Sequence, residues 1–377
     1  MKNTCHFLLA GAALCLAIGA FAQGKAAFYR QRDLQLSPVL KLKLESLRTE
    51  IKQRGGTFRI AHTSATELPD SKLFGLSNTT LSPSVLRQQN ADAVKLLEAE
   101  RRAVDVALLK DPSLRLKIPI FRLAPTPKLG KWDWRAAGEV TNVRQQLGGT
   151  CWAYGPAAAF EASMLVRNNQ PTDVSEQYLI SNSGAGVINY PPGGDPGKTM
   201  TYLVSGGTVS ETEVPDTGVQ GTPDPARFKP YRAISWGVLA EGGKASVAQL
   251  KQALCEHGPI TTCLNAGGAF GSYGGEATVV NDGLENAGIT HVVLLIGWDD
   301  SKQAWLIKNS WGENWGDECG YGTKGGYAWV KYGCRNIGSY SMWVHAYPIF
   351  VDFAELTKAF KDLKIDINRI KLVPNIR

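Results

Sequence analysis

The chain has 377 residues, 44% hydrophobic and 20% charged. Those proportions belong to a globular protein with length for two or three domains, and they exclude a disordered or collagen-like chain. Its 41 Lys and Arg against 34 Asp and Glu leave a net charge of +7 without any long basic run, so nothing in the charge demands a nucleic-acid partner.

Residues 1–22 begin with Lys2, continue as an apolar stretch from Phe7 to Ala22, and end Ala20-Phe21-Ala22 before Gln23. This is the pattern of a secretory signal peptide cleaved after Ala22, which makes the protein secreted or periplasmic. The stretch is short for a bilayer span. Leu14 is not the small residue that precedes a lipidated cysteine at Cys15. No membrane anchor is expected. Losing Cys5 and Cys15 leaves Cys151, Cys255, Cys263, Cys319 and Cys334, an odd set. In an oxidising compartment it predicts up to two bridges and one free thiol, with Cys319 and Cys334 the expected pair.

Residues 23–127 contain no cysteine and read as helical. Leu40, Leu44, Leu47 and Ile51 recur at helical spacing, and Ser82-Pro83 opens a second helix that Asp111-Pro112 closes. Thr57 to Ala61 is a candidate strand. Ala124 to Lys128 is a Pro-rich linker, and Lys128 and Lys131 invite a protease.

Residues 128–350 hold most of the Trp and Gly. Cys151–Asn168 and Val247–His257 read as helices. Ile260–Leu264, His291–Trp298, Ala304–Lys308 and Tyr327–Tyr332 read as strands, which makes the class α+β. In the tail, 351–377, Phe353, Leu356, Phe360 and Leu363 predict a helix packed on the preceding unit.

The sequence lacks HExxH, paired CxxC and G-x-S-x-G, so neither a metal nor another cofactor is expected. Gly197-Lys198-Thr199 resembles the end of a phosphate loop, but Pro192 stands where its first glycine belongs. Cys151 follows Gly148-Gly149-Thr150 and opens a helix, where the positive dipole end favours a thiolate. His291 opens the apolar strand Val292-Val293-Leu294-Leu295-Ile296, while His62, His257 and His345 lie elsewhere. Asn309, in Lys308-Asn309-Ser310-Trp311-Gly312, can fix the tautomer of an imidazole.

Residues 133–161 around Cys151, the SEQYL run at 175–179, Gly193-Gly194, and residues 291–316 together resemble the papain-like (C1) cysteine peptidases. The order Cys, then His and Asn roughly 130–150 residues later, is that family's known pattern. The resemblance implies a papain-like α+β fold, with a helical left lobe, a β-barrel-like right lobe and a cleft between them. It implies an endopeptidase made as a zymogen, whose partners are protein or peptide substrates and its own pro-region as inhibitor. Cys151 would be the nucleophile, ionised at neutral pH, with His291 and Asn309 completing the catalytic set. Gln146 would donate to the oxyanion if the flanks are aligned with a one-residue deletion, and Gln145 by an ungapped count. Gly193, Gly194, Cys263, Val292 and Trp311 would meet the substrate. Thr290 supplies no acid, so a small or apolar residue two before the cut is expected. Two departures stand out: Gly148 replaces the usual cysteine of a structural bridge, and Pro156 lies in the nucleophile helix. The alternatives are a same-fold exopeptidase or transpeptidase, and a non-enzymatic secreted binding module.

Overall fold

The computed structural model describes residues 24–77, 81–123 and 125–366. The signal-peptide reading of 1–22, residue 124 of the linker, and 367–377 of the tail lie outside the described residues. Among the described residues, no helix is long and apolar enough to cross a membrane.

The helices in chain order are α1 (Gly24–Leu34), α2 (Pro38–Gln53), α3 (Asp70–Leu73), α4 (Pro83–Lys110), α5 (Leu114–Lys117), α6 (Pro119–Leu123), α7 (Cys151–Asn168), α8 (Glu176–Asn182), α9 (Pro196–Ser205), α10 (Val247–His257) and α11 (Phe353–Asp362). Local chemistry explains their starts. Ser37 and Ser82 accept from Leu40 N–H and Val85 N–H, with Pro at the first helical position of α2 and α4. Ser246 and Gln249 form a reciprocal capping box on α10. Leu44 and Ile51 are buried on α2, as their spacing predicts. The α7 helix runs through Pro156 and is buried on nearly every face, which suits a central helix.

Among the described residues, eight strands form one sheet: β1 (Lys131–Asp133), β2 (Ala233–Val238), β3 (Ile260–Leu264), β4 (Val279–Val280), β5 (His291–Asp299), β6 (Ala304–Lys308), β7 (Tyr327–Lys331) and β8 (Ser339–Ala346). Their order is β2-β8-β3-β5-β6-β7-β4, with β1 paired to β5. All pairings are antiparallel except β4 with β7. The sheet path is open, with β2 and β4 at its ends. Strand β5 is buried along its whole length, and α7 packs against it.

Three local expectations need correction. Thr57 to Ala61 forms no strand; a single bridge joins Ile60 to Tyr273. Lys131 and Lys128 are both exposed, but Lys131 is paired with Asp299 in the β1–β5 ladder, whereas Lys128 lies outside any strand and is the better site for cleavage. Cys319 and Cys334 are not bridged, and all five described cysteines are free thiols. Strand β7 carries the chain across the sheet between them, so they end in different apolar clusters, Cys319 with Cys151 and Cys334 with Ile337. The Cys334 thiol instead donates to the Gly283 carbonyl at 3.0 Å.

Candidate active site

Cys151 is the first residue of α7, and His291 the first of β5. Asn309 directly follows β6, which pairs with β5. This pairing returns the chain to His291: His291 Nε2 lies 2.7 Å from Asn309 Oδ1. A carbonyl oxygen can only accept, so the bond places the proton on Nε2 and leaves Nδ1 as the basic nitrogen. Nδ1 is buried and has no hydrogen-bond partner. The Trp311 ring covers the imidazole at 4.7 Å between centroids and is itself fully buried, so it meets His291 and not an open cleft wall.

Gln146 is buried, while Gln145 is exposed and forms an isolated bridge with Trp311. Gln146 Oε1 accepts from Ser310 Oγ at 2.6 Å, and this fixes the amide so that Nε2 points back toward Gly148 O at 2.7 Å. Lys308 holds the same loop by donating to Thr141 O, Thr141 Oγ1 and Asn142 O. Burial lowers the Lys308 ammonium to about 8, against the pull of Glu161 and Glu176. Sequence reasoning missed both supports, Ser310 and Lys308. The Lys-Asn-Ser run was visible; its reach to residues 141–146 was not.

The cleft is filled by the chain itself. A strap, residues 72–77, crosses it. Gln146 Nε2 donates to Lys72 O at 3.0 Å and to Leu73 O at 3.3 Å. Gly75 N–H and Leu76 N–H donate to Thr290 O, Gly194 N–H donates to Gly75 O at 2.8 Å, and Ser77 N–H donates to Gly194 O at 2.8 Å. These bonds make a parallel bridge between Leu76 and Gly194. Gly194 must lack a side chain, because a Cβ there would lie 2.7 Å from the Trp152 ring. Leu76 is buried in one apolar cluster with Cys151, Trp152, Cys263, Val292 and Tyr340. No motif announces the strap; its sequence carries only Leu73-Phe74-Gly75-Leu76 between Lys72 and Ser77.

The strap changes the electrostatics. Burial pushes the Cys151 thiol up to about 12, against the N–H groups of Val292, Gly75, Trp152 and Cys151 that favour the thiolate. Burial likewise drives His291 down to about 4, although the hydrogen bond to Asn309 favours its protonated form. Under the strap both groups are therefore neutral at pH 7. The ionised thiol that the resemblance implied is not the state of this covered site.

Beside the Leu76 cluster lies a polar pair that the sequence did not reveal. Asp195 is the N-cap of α9: its Oδ1 accepts from Gly197 N–H at 2.8 Å and from Tyr340 Oη at 3.0 Å. Its Oδ2 is buried without a hydrogen-bond partner, and burial raises the carboxyl above its usual range. Among the described residues no group of three or more His, Cys, Asp or Glu is placed to hold a metal ion.

Residues 129–335 match the family model described as papain family cysteine protease. The chain is 30% identical over 237 residues to cysteine protease Amb a 11.0101 of Ambrosia artemisiifolia, covering 59% of this chain and 55% of that one. It is 32% identical over 195 residues to cathepsin R of Mus musculus, covering 49% and 57%. The chain thus spans about half the length of the curated relatives it matches. A procathepsin L2 structure from Tenebrio molitor larval midgut aligns with TM-score 0.59 at 21% identity, over 91% of this chain and 95% of that one. The proform of the ragweed Amb a 11 protease aligns with TM-score 0.56 at 19% identity, over 85% and 93%. Both structural likenesses show the papain-like fold.

Proposed function

We propose, since this chain belongs to the papain family of cysteine proteases, that it is a secreted endopeptidase held inactive by its own N-terminal region. The observation that carries the reading is the His291–Asn309 pair, with a basic Nδ1 left free, in the cleft that opens at the Cys151 helix terminus.

Once the strap leaves, water and the helix dipole reach Cys151, and its proton passes to His291 Nδ1. The thiolate attacks the scissile carbonyl carbon. The carbonyl electron pair moves to oxygen, where the Cys151 N–H and Gln146 Nε2 stabilise it. Collapse breaks the C–N bond, and His291 returns the proton to the leaving amine. Water then hydrolyses the thioester with His291 as base, restoring the thiol. Asn309 orients the ring throughout.

Gly193 and Gly194 would offer backbone bonds to an extended peptide, and Gly194 already makes such bonds to the strap. Cys263 and Val292, directly paired across β3 and β5 and clustered with Leu76, would line the neighbouring pocket. The Asp195–Tyr340 pair would give that pocket a polar base. We assign 1–22 as the signal peptide, 23–127 as the pro-region, 128–350 as the catalytic domain and 351–377 as a packed tail.

The test is mapping of a thiol-reactive peptide probe by mass spectrometry, on the exported protein and on Cys151→Ala. Labelling of Cys151 that rises on proteolytic activation supports the reading. No labelling of any form overturns it.

A further inference from the structure

Removal of the whole 23–127 region would take away α4. We propose instead that α4 (Pro83–Lys110) is a permanent part of the catalytic body, and that maturation removes only chain N-terminal to it. The inference rests on the zymogen reading above and concerns which part of the pro-region inhibits.

The strap and α4 do different work. The strap places backbone in the cleft, so substrate cannot bind until it moves. The α4 helix instead directs its buried contacts at β2, α7, β8 and α11. First, it seals a sheet edge. Strand β2 ends the sheet, so its outer backbone groups need partners. Asn90 supplies them as a strand would: its Nδ2 donates to Val238 O and its Oδ1 accepts from Val238 N–H, both at 2.9 Å. Gln89 Nε2 donates to Trp236 O at 2.8 Å.

Second, α4 neutralises charge buried in the body. Glu100, 2% exposed, is ion-paired with Arg167 of α7 and accepts from His345 Nδ1 of β8 at 2.9 Å. His345 Nε2 in turn lies 2.8 Å from Nδ1 of His257, which stacks on Trp343 at 4.3 Å. Burial alone would raise the Glu100 carboxyl, but Arg167 and His345 outweigh it and hold it at about 2. The pairing therefore survives acid that would protonate an ordinary carboxylate. Without α4, the Arg167 guanidinium would lose its carboxylate partner and His345 Nδ1 its hydrogen-bond partner.

Third, α4 shares its core with chain that no pro-region contains. Leu96, Val104 and Leu108 pack in one cluster with Ile234 of β2, Tyr347, and Leu356 and Phe360 of α11. The α11 helix follows the catalytic domain and rests its apolar face on α4. Losing α4 would uncover β2 and α11 together.

The experiment activates the full-length protein, tags active molecules with the thiol-reactive peptide probe, and analyses the tagged species by size exclusion and intact mass. The expected result is that peptide 83–110 remains with the tagged body, either continuous with it or co-eluting in unit stoichiometry after a second cut in the 125–128 linker. A tagged, monodisperse enzyme lacking 83–110 would overturn the inference and leave the peptidase reading intact. Absence of tag at Cys151 in every form overturns that reading and this one with it. As a second readout, Glu100→Ala should lower the melting temperature of both the full chain and the tagged enzyme by on the order of 10 °C. A drop confined to the full chain also overturns retention. Should the alanine variant fail to fold, Glu100→Gln gives the same comparison with a smaller shift.

Discussion

The strap passes closest to the nucleophile at Gly75, and substitution there measures how tightly it is held. A Cβ on Gly75 would lie 2.6 Å from the Gly149 carbonyl carbon and 3.0 Å from Cys151 Sγ. Backbone cannot yield by changing rotamer, so Gly75→Ala must displace the strap or strain the turn before α7. Forced overpacking of this kind costs about 1–3 kcal/mol. With tenfold per 1.4 kcal/mol, the open population should rise roughly 5- to 150-fold. The assay is the rate of iodoacetamide alkylation of the Cys151 peptide in uncleaved protein at pH 7.5. Peptide resolution separates it from the partly exposed Cys255. Gly130→Ala is the control, because a Cβ there meets nothing within 4 Å. If Gly75→Ala alkylates no faster than the control and remains folded, the strap does not gate Cys151, and the account of its covered thiol fails.

Acid should destabilise the covered fold. His291 is held at about 4 in the covered state against an ordinary value of 6.5, so the unfolded chain binds more protons between those limits. The contribution of a neutral His291 to folding stability is then full above about pH 6.5 and lost as pH falls toward about 4. A denaturation midpoint of the uncleaved protein that is flat from pH 7 to 4 would contradict this. In activated enzyme, Gln146→Ala should lower kcat by about 10²–10³ through loss of an oxyanion donor, whereas Gln145→Ala should change it little; steady-state kinetics on a peptide amide decides between them. Asn309→Ala should lower kcat by about 10- to 150-fold, the worth of a hydrogen bond to a charged group, and flatten the acid limb of the pH–rate profile. Asp195→Asn should alter preference two residues before the cut, discriminating against side chains that end in a hydrogen-bond donor. A peptide library with the same ranking for both enzymes would show Asp195 to be only a helix cap.

The sequence alone determined what depends on neighbours along the chain. Ser37-Pro38 and Ser82-Pro83 carry their own helix starts, because a cap needs only residues three positions apart. The run from Cys151 places a thiol at a helix end, and His291 and Asn309 come together because two adjacent antiparallel strands must return the chain to the same place. Those signals were legible without a structure. Only the tertiary structure decided the rest. The strap at Gly75 binds Thr290 and Gly194, Glu100 pairs with Arg167 and His345, and Asp195 meets Tyr340. Each partnership joins segments distant in sequence, so no local pattern encodes it. The same holds for the thiols: Cys319 and Cys334 are near in sequence yet buried in separate clusters, because the intervening strand β7 spends that length crossing the sheet. The state of Cys151 is decided in the same way, since a thiol at a helix terminus ionises readily in water but not beneath a segment that excludes it.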